Sequence, residues 1–374
     1  MKQFIYADNA ATTKLDPVAY EAMLPWLKEE YANASQPYSF SRSAKKALAE
    51  ARALIAECIN AKPEEIFFTS GGTESDNWAI KGSAFADSGH RAIITSQIEH
   101  HAVLRSCEAI ERLGYPVIYL PVNKDGTVLA ETLERNISDN TRLVSVMLAN
   151  NEIGTIQPIK DLVRIAHKHG ALFHTDAVQA VGHIPIDVQD LGIDLLSASA
   201  HKFNGPKGIG FLYIRKGTSI VSFMDGGSQE NGLRAGTENI AAIVGMATAL
   251  KTNCDHIKEN IEHVRELENQ FITAINEAGI HYVRNGGGCI LPGLVSLSLM
   301  KQSGETLLHR LDLKGIAVST GAACNGENDE ISHVLKAIDL QEDLALGTIR
   351  ISIGKHNDTE DISRIVHCLK TICK

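Results

Sequence analysis

Little in this chain is extreme, and each scarcity closes off a class of protein. Aromatic residues are 5% of the 374, and no apolar stretch reaches the roughly 18 residues that a membrane-crossing helix needs. Met1-Lys2-Gln3-Phe4-Ile5-Tyr6-Ala7-Asp8 meets an acid before the apolar core of a secretion signal can form, so a cytoplasmic location without a membrane partner is expected. Long runs of like charge are also lacking. The 36 basic and 45 acidic residues leave a net charge of −9, so direct contact with nucleic acid is not expected. Glycine and proline, at 30 and 10, are too few for a collagen-like or disordered chain. The seven cysteines, at 58, 107, 254, 289, 324, 368 and 373, are odd in number, scattered, and without metal-ligand spacing. Reduced thiols and no structural metal are the expectation, and six of the seven read as small buried hydrophobes.

What is present is ordinary for a folded protein: 44% apolar and 22% charged residues, in a chain long enough to need two lobes. From about residue 44 to 215, short apolar runs alternate with helix-like stretches, the pattern of parallel strands joined by crossover helices. The expected strands are Ile66–Thr69, Ala92–Thr95, Val117–Leu120, Leu143–Ala149, Leu172–Thr175, Leu195–Ala198 and Gly210–Ile214. Residues 257–278 carry apolar side chains at spacings of three and four, one long amphipathic helix stopped by Gly279. Strand-like segments then follow at Leu294–Leu299, Ile316–Ser319 and Thr348–Ile353, an α+β pattern for the second lobe.

Three segments carry chemistry. In Thr69-Ser70-Gly71-Gly72-Thr73-Glu74 a strand passes through two glycines into a helix beginning near Glu74. Free N–H groups and hydroxyls there suit a phosphate, although a plain capped turn has the same residues. Asp176 and Lys202 each follow an apolar run, and parallel strands open their C-terminal ends onto one crevice. A buried acid beside a lysine suits pyridoxal phosphate, whose protonated ring nitrogen needs an anion and whose aldehyde condenses with a neutral amine. A simple Asp176–Lys202 ion pair is the alternative reading, and Lys207, in a Gly-Pro-Lys-Gly turn, the rival lysine, pointing more naturally to solvent. The third segment, Gly321-Ala322-Ala323-Cys324-Asn325-Gly326 followed by acids, has the composition of an exposed loop that presents a thiol.

Added to these are Ala7-Asp8-Asn9-Ala10-Ala11-Thr12-Thr13, Glu99-His100-His101-Ala102-Val103-Leu104, Asn150-Asn151-Glu152-Ile153-Gly154, Arg234-Ala235-Gly236-Thr237 and Ser319-Thr320 before Gly321. Together and in this order they make the chain resemble, over nearly its whole length, the cysteine desulfurases of the NifS/IscS type. These are class V aminotransferase-like, fold-type I pyridoxal phosphate enzymes. The resemblance implies an α/β fold with a large cofactor domain, residues 15–256, built on a mostly parallel sheet flanked by helices. It also implies a smaller α+β domain from residues 1–14 and 257–374, carrying the catalytic loop at about 319–332.

It further implies that Lys202 bonds to the cofactor, Asp176 partners the pyridine nitrogen, Gln179 contacts the ring hydroxyl and His100 stacks on the ring. Gly72, Thr73, Ser199 and His201 would hold the phosphate, with Thr237 reaching the phosphate of the neighbouring subunit in a homodimer. Asn151 and Arg350 would hold the substrate, the guanidinium fork suiting a carboxylate, and Asn151 would touch the cofactor as well. Cys324 would be the nucleophile that takes sulfur from L-cysteine, leaving L-alanine, and passes it to an acceptor protein. Iron–sulfur cluster assembly, tRNA thiolation and DNA phosphorothioation are the open destinations. One departure from the family pattern is Tyr38, where members commonly have a histidine at the pocket rim. The competing readings are another class V aminotransferase or lyase that ignores Cys324, and a non-catalytic cofactor-binding scaffold.

Overall fold

A computed structural model describes residues 4–320 and 331–373. The apolar runs of the first two-thirds of the chain form a seven-stranded sheet. Its spatial order is Ile66–Thr69, Gly210–Ile214, Leu195–Ser199, Leu172–Asp176, Thr141–Ser145, Ala92–Ser96 and Val117–Leu120. Only Gly210–Ile214 runs against its neighbours; the other six strands are mutually parallel. Helices cover both faces, so Ala92–Ser96, Thr141–Ser145, Leu195–Ser199 and Gly210–Ile214 are buried at every residue. That two-sided burial is why these strands read as continuous apolar runs rather than as alternation.

The expected strand over 143–149 runs instead from Thr141 to Ser145. Beyond Ser145 the chain still bonds to the adjacent strand, Val146 N–H to the His174 carbonyl and Leu148 N–H to that of Asp176. It then leaves for a turn fixed by Asn150, whose Oδ1 accepts from the N–H groups of Glu152 and Ile153 at 2.8 and 3.0 Å. A polar side chain thus ends a strand that hydrophobicity alone would prolong.

The amphipathic helix Ile257–Glu277 buries Val264, Leu267, Phe271 and Ile275, and Gly279, at φ +71°, turns the chain after it. Leu267, Phe271 and Ile275 face a second apolar core with Ile5, Ala7, Val295, Leu297, Leu311, Ile349, Ile351, Ile365 and Leu369. A fully buried Phe271 contributes roughly 1.5–3 kcal/mol to it. The second sheet is antiparallel, in the order Ser319–Thr320, Thr348–Ser352, Leu294–Leu299, Tyr282–Arg284. The strand expected over 316–319 is split. Ile316–Ala317 pairs in parallel with Ile5–Tyr6, and Ser319–Thr320 pairs with Thr348–Ser352. The segment therefore changes sheets, which places Ser319 opposite Arg350.

Candidate active site

The six parallel strands point their C-terminal ends the same way, and a cavity of about 630 Å³ opens there. Strand Ile66–Thr69 delivers Gly71, Gly72 and Thr73, Leu172–Asp176 ends on its acid, and Leu195–Ser199 runs into a single tight turn, Ala200–Lys202, that delivers His201 and Lys202. His100 precedes the helix His101–Glu111. Every one of these residues lines the cavity, joined by Asn151, Gln179, Ser199 and, from the second lobe, Arg350.

One end of the cavity is built for an anion. The helix starts at Gly72, two residues before the expected place, because Gly71 takes φ +149°, a conformation that L side chains rarely adopt. Gly72 itself is pressed against the next motif: a Cβ there would lie 2.6 Å from Val178 Cγ2. The first N–H groups of a helix have no partner within it, and here they face a cavity that Ser199 and His201 also line. Burial first, then the charges of Lys202 and Lys207, push the His201 imidazole down to about 4, so it is neutral at pH 7. Its Nδ1 lies 3.1 Å from Thr12 Oγ1. Glu74, an acid that also lines this end, is paired by two hydrogen bonds from Arg234, at 2.8 and 3.0 Å. Lys207 is exposed, yet it lines the mouth of the cavity.

Deeper in, Lys202 does not pair with Asp176. Its Nζ donates to the carbonyls of Ala10 and Ala11 at 2.6 and 2.8 Å. Burial and the nearby Arg350 charge push the amine down to about 8, against the pull of Asp176 and Asp8. Asp176 is buried, and its Oδ1 accepts the Val178 N–H at 2.9 Å. Burial raises this carboxyl above its ordinary value, while His100, the Val178 N–H and Lys202 all draw it back. Gln179 Nε2 donates to the Ala10 carbonyl at 2.8 Å, so that one oxygen receives both the lysine and the amide. His100 Nδ1 accepts the Ala102 N–H at 3.1 Å, which places the proton of the neutral ring on Nε2. His101 instead packs on His333, ring centres 4.9 Å apart, outside the cavity lining.

Arg350 is held on two sides: Nη1 donates to the Asn151 carbonyl at 2.8 Å, and Nη2 to Asp8 Oδ1 at 2.7 Å. Its buried Nε has no partner among the described residues. Thr237 is exposed and does not line this cavity, and neither does Tyr38, which is 50% exposed. Cys324 lies outside the described residues, but the chain on either side of it does not. Thr320 ends the strand beside Arg350; Ser332 caps the helix His333–Ala337, and His333 Nε2 is 2.9 Å from the carbonyl of Glu99, the neighbour of His100. Of the other six cysteines, all free thiols, Cys107 is buried, four are half-buried and Cys289 is exposed. The buried expectation fails for Cys289 because a thiol is small enough to leave on a polar loop at little cost.

Sequence reasoning gave no role to Asp8, to the Ala10 and Ala11 carbonyls, or to Asp76, whose buried carboxyl also lines the cavity. Backbone acceptors leave no mark in a sequence. Asp76 did leave one, an acid three residues after Thr73 on the same helix face.

A sequence profile of the aminotransferase class-V family matches residues 5–365. The cysteine desulfurase IscS of Dictyoglomus turgidum is 49% identical over 381 residues, covering 100% of this chain and 97% of its own. Among solved structures, one named NifS-like protein superposes with a TM-score of 0.93 at 38% identity, covering 99% of both chains. Another, SspA in complex with cysteine, gives a TM-score of 0.84 at 36% identity over 95% of this chain and 100% of that one.

Proposed function

The chain belongs to the aminotransferase class-V family, and from that premise we propose how its residues carry out pyridoxal phosphate-dependent desulfuration of L-cysteine. The chain is a cysteine desulfurase. The cavity residues fit the cofactor: helix N–H groups, the Ser199 hydroxyl and a neutral imidazole stand at the end that would take its phosphate, and Asp176 stands where its ring nitrogen needs an anion. Lys202, with an amine near 8, is the partner for its aldehyde. When bound, pyridoxal phosphate supplies an aldehyde for the substrate amine and a sink for the electrons released at Cα.

The chain's own groups do the rest. Asp176 holds a proton at the ring nitrogen, and Gln179 and His100 fix the ring's place. Lys202, its amine neutral in a useful fraction near pH 8, takes and returns the Cα proton. Arg350 exchanges its Asp8 partner for the substrate carboxylate, with Asn151 beside it. Cys324 attacks the substrate sulfur. The Cβ–S bond breaks, an S–S bond forms, Cβ is reduced to the methyl of L-alanine and sulfur is left as a persulfide on Cys324. The observation that carries this is the pair of anchors on either side of the Cys324 segment, one opposite Arg350 and one on the carbonyl next to His100. Cys324 is four residues past Thr320, so at most about 14 Å of chain separates it from that strand end. The related structure named with bound cysteine supports the substrate.

We assign the large domain to residues 15–256 and the small one to residues 1–14 and 257–374. The protein acts as a cytoplasmic homodimer in which Thr237 completes the neighbouring phosphate site; its exposure and its absence from the lining of its own cavity support this. An acceptor protein in iron–sulfur assembly, tRNA thiolation or DNA phosphorothioation takes the sulfur. The test follows alanine and sulfide from L-cysteine with a thiol reductant. Cys324→Ala keeps the yellow cofactor complex and loses sulfide release by about 100-fold or more, as expected when a nucleophile is removed. Undiminished sulfide from that variant sinks the assignment.

A further inference from the structure

Beside Asp176, at the floor of the cavity, stand two buried ionisable groups that the reaction above does not use, Asp76 and His174. Asp76, 1% exposed, sits in the helix Gly72–Phe85, and its Oδ1 finds no hydrogen-bond partner among the described residues. His174 Nε2 is 3.7 Å from that oxygen, too far to bond, and lies 3.0 Å from Ser197 Oγ; the other ring nitrogen lies 2.8 Å from Ser145 Oγ. Complete burial pushes His174 down to about 3, so it supplies no countercharge. Asp76, Asp176 and His100 each place a ligand atom within 4.8 Å of those of the other two.

Two carboxylates that close, out of water, cannot both hold a charge cheaply, so one keeps a proton. The surroundings decide which. Asp176, on strand Leu172–Asp176, accepts the Val178 N–H and faces the Lys202 amine and the His100 ring. Asp76 faces the Ser197 hydroxyl on the next strand, neutral His174, the charge of Asp176, and Glu99, itself a buried acid that holds its proton. The Lys202 amine and the Val178 N–H favour ionisation of Asp176, whereas the charge of Asp176 opposes that of Asp76.

We propose that Asp76 is a positioning residue: a neutral carboxylic acid beside Asp176 that confines the cavity floor to one negative charge, the one that answers the protonated ring nitrogen of the cofactor. This rests on the reading of Asp176 given above. Asp76 acts through Asp176, which it leaves as the sole carboxylate at that floor, rather than by a step of its own in the reaction.

Infrared spectroscopy of the holoenzyme and of the cofactor-free chain at neutral pH tests it. Both forms are expected to show the carbonyl stretch of neutral carboxylic acids. One component should vanish in Asp76→Asn, and a different one in Glu99→Gln. If Asp76→Asn leaves the carboxylic acid bands unaltered, the proposal is overturned. Cofactor retention gives an independent reading. Asp76→Ala removes the group and admits water beside Asp176, weakening retention about tenfold, while Asp76→Asn, with the shape and charge of the neutral acid, restores it to within about threefold. An Asn variant as weak as the Ala variant shows that an ionised carboxylate was needed and ends the proposal. If wild-type protein fails to hold pyridoxal phosphate at all, the preceding reading falls instead, and the bands of the cofactor-free chain still decide on Asp76.

Discussion

Glu99 shows how far one buried side chain can bend the protein's response to pH. Its Oε1 accepts from Ser96 Oγ at 2.5 Å and from the Met147 N–H at 3.0 Å, and its Oε2 has no partner among the described residues. Burial pushes this carboxyl up to about 8, despite those two bonds. The folded chain therefore keeps the proton to about pH 8, whereas the unfolded chain releases it near 4.5. Between those values the folded state binds more protons, so stability falls as pH rises through that window. Glu99→Gln removes the slope. Against wild type, its thermal unfolding should show no gain at pH 4 and a gain on the order of a few kcal/mol at pH 8. Equal shifts at both pH values would contradict a proton held by Glu99. Signals of this kind were only half legible beforehand. Asp176 and Lys202 stood out as polar residues ending apolar runs, and Glu99 was written in the motif with His100. Their burial depends on strands far away in sequence, and no local pattern encodes it.

At the scale of elements, the antiparallel strand Gly210–Ile214 sets the floor on which the anion end rests. Gly210 pairs with Thr69 on one side and Ser199 on the other. A Cβ at Gly210 would press on the Ala198 carbonyl and come within 2.7 Å of Gly71 Cα. Gly210→Ala should therefore displace the turn that aims the helix start. The expected loss is about 1–3 kcal/mol of stability and about tenfold in cofactor affinity, read by thermal melting and by titration of the cofactor-free chain. Unchanged affinity would mean that the turn does not rest on this strand. Nearly every strand of the large sheet was visible in the sequence, because two-sided burial writes an unbroken apolar run. The failures sit where polar groups or pairing partners intervene: Asn150 cuts one strand short, and the 316–320 segment divides between two sheets that hydrophobicity cannot tell apart.

For the whole molecule, the apolar surface near the end of helix Pro17–Lys28 is the feature that a single chain leaves unexplained. Leu27 and Tyr31 are 62% and 82% exposed, and Tyr31 meets Phe40 edge-on with ring centres 5.1 Å apart. The homodimer proposed above would account for both if it covers this surface and delivers Thr237 to the neighbouring cavity. Charging it with Leu27→Glu and Tyr31→Glu should yield a monomer in sedimentation and lower turnover by about tenfold or more, since each site would lack one phosphate ligand. A dimer of full activity would place the interface elsewhere.

The residues from Asp8 to Thr13 touch both lobes at once. Asp8 holds Arg350, Ala10 and Ala11 receive Lys202, and Thr13 Oγ1 donates to the His201 carbonyl at 2.8 Å, while strand Ile5–Tyr6 ties the same stretch to Ile316–Ala317, just before the strand that faces Arg350. Strain applied at the amino terminus therefore travels along a short covalent path to the two oxygens that hold the lysine's amine in place. A fusion partner placed at that end becomes a handle on the chemistry, and the colour of the bound cofactor a gauge of the load it exerts.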